Sequence, residues 1–370
     1  MLADVNALVG GLLRDLAFAQ TSPQKMFGYK RAAAAVLSLD RPLTELVSTD
    51  GAMAKIRGIG PASIRVIREV LETGASQTVE NAVAASGRAS DIARRRTLRG
   101  GFLSRAEVLR VLDDAALDGP VQADYHGDLQ MHSEWSDGSS TLDDIAAAAI
   151  DRGWSFAAVT DHSFGLTIAG GMSMDEAARQ QQEIDRINRL RGPSFRLLKG
   201  VEANIGTDGT LDLTTDDIAR FELVLAAPHS KLRSTEDQTP RLLRAVRTDG
   251  VKILAHPRGR ISGSRAGVVA DWDAVFAAAA DAGVAIELDG DPARQDLDYR
   301  LAVRARDAGC LFALDSDAHT TTQFRYVDTA LAHARLAGIP AERIVNCWTA
   351  DRLLAWLTAG AAPDDHRAGR

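Results

Sequence analysis

Beyond residue 125 the chain alternates short apolar runs with amphipathic stretches, and this pattern constrains the fold more than any other feature. Runs lie near residues 128, 156, 197, 223, 251, 284 and 311. Between them, helical spacing predicts helices over 142–152, 174–190, 241–249, 272–282 and 299–308. Strands separated by helices pair in parallel, and seven repeats predict an α/β fold closed into a distorted (β/α)7 barrel. In such barrels the chemistry gathers at the carboxyl ends of the strands. Here those ends carry Gln130, His132 and Asp137, then Asp161 and His162, then Glu202, His229 and His256, and finally Asp315, Asp317 and His319. A single histidine at a strand end is ordinarily a hydrogen-bonding surface group. Five of the eight histidines falling there, together with carboxylates, instead predict one metal centre suited to Zn²⁺, Mn²⁺ or Fe²⁺. His126, His333 and His366 are expected to take no part. Asp161 either orients His162 or caps the next helix, and Asp315 is read likewise.

The first 124 residues have a different texture. Val5, Leu8, Leu12 and Leu16 recur at helical spacing, and Ala32–Leu39 forms a second apolar run. Gly58-Ile59-Gly60 then stands before a helical stretch, 64–73, that Gly74 stops. Such a loop between helices presents backbone N–H groups to a phosphate without reading bases. Residues 1–88 are therefore expected to form a small all-α domain, 89–124 an Arg-rich linker, 125–358 the barrel and 359–370 a tail. Residues 1–120 carry 16 Lys and Arg against 13 Asp and Glu within a chain of net charge −7, so the acidic excess belongs to the barrel. A mildly basic front beside a metal centre is compatible with a polyanionic substrate. The longest apolar run falls short of the roughly 20 residues of a membrane span, so no membrane partner is expected. Cys310 and Cys347, both in apolar segments and without an export signal before them, fit free buried thiols in the reducing cytoplasm.

The ligand-type residues resemble the PHP phosphoesterase family, which is marked by an early H-x-H, a T-D-H, an isolated Glu, two separated His and a late D-x-H. This chain shows Gln130-Met131-His132, Thr160-Asp161-His162, Glu202, His229, His256 and Asp317-Ala318-His319. The likeness covers residues 125–358 and is similar in detail to the PHP domain of bacterial family X DNA polymerases, in 127–138 and in Asp296-Leu297-Asp298-Tyr299. Residues 25–33 and 56–60 resemble the polymerase β-type helix-hairpin-helix domain of the same proteins. The polymerising core is missing. Residues 89–124 leave no room for fingers, palm and thumb, and the Asp-x-Asp matches, such as Asp271-Trp272-Asp273, lie in the barrel.

The resemblance implies two or three divalent ions. One would be held by Gln130, His132, Glu202 and Asp317, a second by Glu202 as a bridge with His229 and His256, a third by Asp137, His162 and His319. Cations sharing a carboxylate acidify a water and neutralise a phosphoryl centre, so no Ser or Cys nucleophile is needed. Gln130 departs from the pattern, and a neutral amide should hold its metal more weakly than imidazole. Lys231 and Arg258 are the cations expected to hold substrate phosphate, with Glu202 and Asp317 central to the reaction. Lys55, Arg57, Gly58, Gly60 and Arg65 are expected to contact DNA phosphates. The implied activity is a DNA phosphodiesterase of DNA repair: a 3′-5′ exonuclease, with abasic-site endonuclease or 3′-phosphatase action. The alternatives are a small-molecule phosphatase of the histidinol-phosphate type and a non-catalytic DNA-binding scaffold. No protein partner is indicated.

Overall fold

A computed structural model describes residues 4–47 and 53–359; His366 and most of the expected tail lie outside the described residues. The chain forms two compact units that divide at Asp114, with a short excursion, Ser262–Ser264, grouped with the first. Among the described residues no helix is long and apolar enough to cross a membrane.

The first unit is helical: α1 (Val5–Ala19), α2 (Pro23–Leu37), α3 (Pro61–Thr73), α4 (Gln77–Ala85), α5 (Ala89–Thr97) and α6 (Arg105–Asp113). Apolar positions at helical spacing, among them Leu13, Leu16, Ala33, Val36, Ile67, Val70, Val79 and Ile92, close a single core. Two expectations change here. The stretch read as a linker from residue 89 carries two helices, α5 and α6, and groups with this unit as far as Asp114. Its arginines are used in packing: Arg96 and Arg99 reach the buried Asp15 at 2.6 and 2.5 Å, and Arg95 lies 4.0 Å over the Phe18 ring. Arginine runs read from sequence as solvated charge, and a single buried carboxylate removes that distinction. Second, the described residues between α2 and Gly58 form no α-helix. Pro42 leads into one short turn, Leu43–Glu45, and Val47 bridges Met53 in antiparallel fashion.

The second unit is a barrel of seven parallel strands in sequence order, β1 (Gly127–Asp128), β2 (Phe156–Val159), β3 (Arg196–Asn204), β4 (Leu223–Ala227), β5 (Val251–Leu254), β6 (Ala285–Asp289) and β7 (Leu311–Asp315). The crossovers hold α7 (Leu142–Asp151), α8 (Met174–Arg191), α9 (Thr215–Ile218), α10 (Thr239–Val246), α11 (Trp272–Ala282) and α12 (Tyr299–Asp307), with α13 (Val327–Leu336) and α14 (Ala350–Thr358) completing the unit. Local chemistry sets the boundaries. Thr141, Ser173 and Asp271 accept N-cap bonds before α7, α8 and α11, and Gly283 in the left-handed conformation ends α11. β1 and β2 approach so closely that a Cβ on Gly127 would fall 2.1 Å from the Phe156 carbonyl oxygen.

Period-two alternation divides the barrel interior by chemistry. Leu198, Ala285 and Ala313 point into the apolar core that Val345, Trp348 and Leu353 also enter. Two residues further along the same inward row come Glu287 and Asp315, and four further Glu202 and Asp289. The lower interior is therefore oily and the upper interior acidic.

Side chains complete the β7–β1 seam where the backbone ladder stops. Asp315 Oδ1 accepts from the Leu129 N–H at 2.8 Å, and Asp128 Oδ1 accepts from the Ser316 N–H at 3.2 Å. Asn346 accepts from the Leu314 N–H at 2.7 Å and donates to Gly127 O at 2.9 Å and Asp315 Oδ1 at 2.8 Å. Asp315 thus belongs to the closure of the barrel. Burial pushes it up to about 6 and Asp128 well above the usual carboxylate range. Asn346→Ala removes three buried hydrogen bonds, to the Leu314 N–H, Gly127 O and Asp315 Oδ1, and is expected to cost about 3 kcal/mol. Urea unfolding measures this, and an unchanged midpoint would contradict the side-chain seam.

Candidate metal centre

Glu202, near the end of β3, is the hub of the upper rim. Its side chain is fully buried and four imidazoles face it: His256 Nε2 at 2.8 Å and His229 Nε2 at 3.3 Å from Oε1, His162 Nδ1 at 3.0 Å and His132 Nε2 at 3.4 Å from Oε2. His132 also reaches Asp317 Oδ1 at 3.0 Å. Asp137 faces His162 Nε2 and His319 Nε2, each at 3.4 Å. The His132 ring stacks between those of His162 and His319, at 4.3 and 4.5 Å. Every expected histidine and carboxylate ligand therefore meets around one centre. Ligand-type atoms within 4.8 Å of one another form two groups: His132, Asp137, His162 and His319; and His162, Glu202 and His229. That partition gives His132 to the outer group, whereas the family pattern places it with Glu202 and Asp317.

The donor set fits divalent ions. His132 Nδ1 and His256 Nδ1 are buried without a hydrogen-bond partner, and His162 Nδ1, Glu202 Oε2 and Asp317 Oδ2 are buried with charged neighbours from 3.0 Å but no hydrogen bond of good geometry. Mixed imidazole and carboxylate donors suit Zn²⁺, Mn²⁺ and Fe²⁺. Burial alone would lower His162 and His319, but Glu202 and Asp137 raise the first to about 10, and Asp137 and Asp317 the second to about 9. The pull of these carboxylates on protons is the pull they exert on any cation. Backbone strain concentrates at the same place: His256 and Asp317 adopt φ of 26° and 50°, in the sparsely populated left-handed region.

Other expected residues behave differently. The Gln130 amide nitrogen donates to both carboxylate oxygens of Glu287, with Oε2 at 3.0 Å, so Gln130 is turned to a buried acid. A neutral amide offers N–H donors that a carboxylate attracts. Asp161 neither orients His162 nor caps a helix. It accepts from Ser133 N and Oγ at 2.8 and 2.6 Å, and from Gln180 at 2.6 Å, tying down the loop after β1. Arg258 is held by Asp298 at 3.2 Å, and the exposed Lys231 lies 3.8 Å from Glu236. Those carboxylates compete with any substrate phosphate. Cys310 is buried and Cys347 half-buried, both free and both pushed up to about 12 by burial.

Four residues of the centre went unread in the sequence. Arg294 places Nη2 3.0 Å from Asp317 Oδ2 and Nε 3.8 Å from Asp289 Oδ2. Burial opposes its charge, yet Asp317 and Asp289 raise it above the ordinary guanidinium value. Glu287 accepts the His256 N–H at 2.5 Å and so fixes a ligand's strained backbone. Asn204 Oδ1 lies 3.2 Å from His229 Nδ1, which fixes the ring so that Nε2 faces Glu202. Asp212 in turn accepts from the Asn204 N–H at 2.9 Å. Glu287 was findable, since it lies one period-two step beyond Ala285. Arg294 follows its strand by five residues of irregular chain, and no spacing rule reaches it.

His333, expected to stand apart, does. It is buried, accepts the Tyr299 N–H at 3.1 Å and contacts Gln295 Oε1 at 2.8 Å. Burial and then Arg260 depress it to about 3. Because the unfolded chain protonates below about 6.5 and the folded one does not, stability is full above that pH and falls by roughly 1 kcal/mol per unit down to pH 3. His333→Asn should remove this slope from the difference in urea stability between pH 6.5 and 4; a variant that parallels the wild type would contradict it.

No protein-family model matches the chain. The DNA polymerase/3′-5′ exonuclease PolX of Bacillus subtilis is 36% identical over 232 residues, 62% of this chain and 40% of that protein. The probable phosphatase YcdX of Escherichia coli K12 is 30% identical over 252 residues, 65% of this chain and 97% of that protein. The chain thus spans less than half of the first relative and nearly all of the second. A solved histidinol phosphate phosphatase from Lactococcus lactis, complexed with zinc, L-histidinol and phosphate, aligns at a TM-score of 0.42 and 14% identity over 57% of this chain and 94% of that one. Barrel, rim and relatives together define a metal-binding hydrolase of phosphate esters. The chain belongs to the PHP phosphoesterase family, with a barrel like that of family X polymerases.

Proposed function

We propose that this chain is a metal-dependent phosphodiesterase acting on DNA 3′ ends. It would use two or three Zn, Mn or Fe ions, and trimming of abasic sites or 3′-phosphates would be the same bond chemistry at the same rim. The observation that carries the reading is the meeting of four imidazoles on the buried Glu202 carboxylate, in a chain 36% identical to a protein named a 3′-5′ exonuclease. Divalent ions at that rim supply an acidified water and positive charge for the phosphoryl oxygens. The chain supplies the frame: His162 belongs to both ligand groups and faces Glu202, Asp317 and His132 hold each other, Asn204 turns His229, and Glu287 locks the His256 backbone.

The first unit supports a DNA substrate. Lys55, Arg57, Gly58, Gly60 and Arg65 are all exposed, Gly58 turns at φ 89°, and Gly60 opens α3 without a side-chain cap. The free amides of that turn suit a phosphate oxygen and read no base. The match to nearly the whole length of a probable phosphatase favours a second reading, hydrolysis of a small phosphomonoester.

The test pairs end-labelled DNA carrying matched, mismatched and abasic ends with histidinol phosphate, in Mn²⁺ and in Zn²⁺. DNA cleavage is expected to fall about tenfold or more between 50 and 200 mM salt, because phosphate contacts release counterions. Hydrolysis of the monoester with every DNA end left intact overturns the nuclease reading.

A further inference from the structure

The loop that leaves β2 after His162 carries an oddity that metal chemistry does not use. Ile168 is 94% exposed and Phe164 45%. Most other exposed large apolar residues described are scattered singly, which is ordinary, whereas these two share one loop that begins at a metal-site histidine. The loop is firmly held. Met172 N–H donates to His162 O at 2.8 Å, Gly171 N–H to Leu166 O at 3.2 Å, and Ser163 N–H to Glu202 O at 3.1 Å. Asp212 accepts from Ser163 Oγ at 2.7 Å and from the Gly165 N–H at 2.9 Å. Ala169 and Met172 are buried beneath it. A loop so tied does not hide its apolar side chains by collapsing; it holds them out.

We propose that Phe164 and Ile168 seat the nucleobase adjoining the phosphate that is cleaved, an inference that rests on the DNA reading above. The loop joins the centre at its start, where His162 faces Glu202 and Asp137, and is tied to it by Asp212, which also holds Asn204, which turns His229. It also lies beside the loop after β1, since a Cβ on Gly170 would come 3.6 Å from the Ser136 carbonyl oxygen. The residue before Ser136 is the half-buried Trp135, whose ring has the Arg179 guanidinium 5.9 Å away. An occupant must therefore offer an anion to the rim and an apolar face to the loop. A nucleotide within DNA offers both in fixed relation, and packing against its face tolerates any base. Glycerol phosphate offers only the anion.

The experiment compares the wild type with the double variant F164S/I168S on a single-stranded oligonucleotide, on the same oligonucleotide with an abasic residue at its 3′ end, and on β-glycerophosphate. Both positions are exposed, so the variant keeps its core. The ratio of kcat/KM on the oligonucleotide to that on β-glycerophosphate is expected to fall about 10- to 100-fold in the variant. The wild type should lose a similar factor on the abasic end, and the variant should no longer distinguish the two ends. Equal ratios in both proteins, or a wild type indifferent to the missing base, overturn the loop assignment. A variant that changes from dimer to monomer by light scattering makes the loop a subunit contact and overturns it too. A wild type that hydrolyses β-glycerophosphate and no DNA fails at the nuclease reading itself, a result distinct from the others.

Discussion

Glu202→Ala is expected to lose its bound metal and to hydrolyse every phosphate ester about 10³-fold more slowly, or worse. The side chain faces His132, His162, His229 and His256, two at each carboxylate oxygen. Burial opposes its charge, and the surrounding histidines, His162 and His229 foremost, still hold it well below the usual carboxylate range. Without it the four imidazoles lose the carboxylate they share, and Asp317 and Asp137 remain only beside His132 and beside His162 and His319. Charge stabilisation at such a centre amounts to several kcal/mol, and each factor of ten in rate is about 1.4 kcal/mol. Elemental analysis after dialysis and steady-state rates on β-glycerophosphate measure the two effects together. A variant with wild-type metal content and rate would remove Glu202 from the centre.

Arg294→Gln should lower kcat about 100-fold while leaving metal content nearly whole. Arg294 is the cation placed directly on the inner carboxylates, at 3.0 Å from Asp317. Burial pushes Asp317 up, and Arg294 followed by His132 more than reverses this, so its oxygens stay charged. Loss of a partner that orients a candidate ligand carboxylate typically costs a factor of about 10 to 100. The metal-free variant should also be about 3 kcal/mol less stable than metal-free wild type, because removing one partner strands the buried charge of the other. Addition of Zn²⁺ should narrow that gap. Arg294→Lys is not expected to restore the rate, since a point charge on a flexible stem does not span Asp317 and Asp289 as the planar fork does. Wild-type kcat and stability in Arg294→Gln would show the guanidinium to be a bystander.

The barrel was legible because its signals are local and repeat. Apolar runs near 156, 197, 223 and 311 begin within a residue of β2, β3, β4 and β7, and the capping residues Thr141, Ser173 and Asp271 stand where helices were expected to start. The histidine and carboxylate ligands were legible for the same reason, each closing a run. What failed to show depends on partners distant in sequence. Asp15 turns Arg96 and Arg99 from a charged linker into packing, across more than eighty positions. Glu287 meets Gln130 from β6, far along the chain, and Arg294 reaches Asp317 from a loop without periodicity. The loop at Gly58 was expected to follow a helix, and Pro42 instead leads into a three-residue helix, Leu43–Glu45.

The seam between first and last strands has one more consequence. Leu129, Leu314 and Ser316 give their amide protons to Asp315, Asn346 and Asp128 side chains instead of to a neighbouring backbone. A carboxylate or amide swings away by rotating a pair of bonds, while the strands themselves stay in place. Deuterium should therefore enter these three amides sooner than those of β3 to β5, which are fastened on both flanks. Since Met131 and Asp317 adjoin the same seam, its breathing would loosen one wall of the cavity while the opposite wall stays rigid.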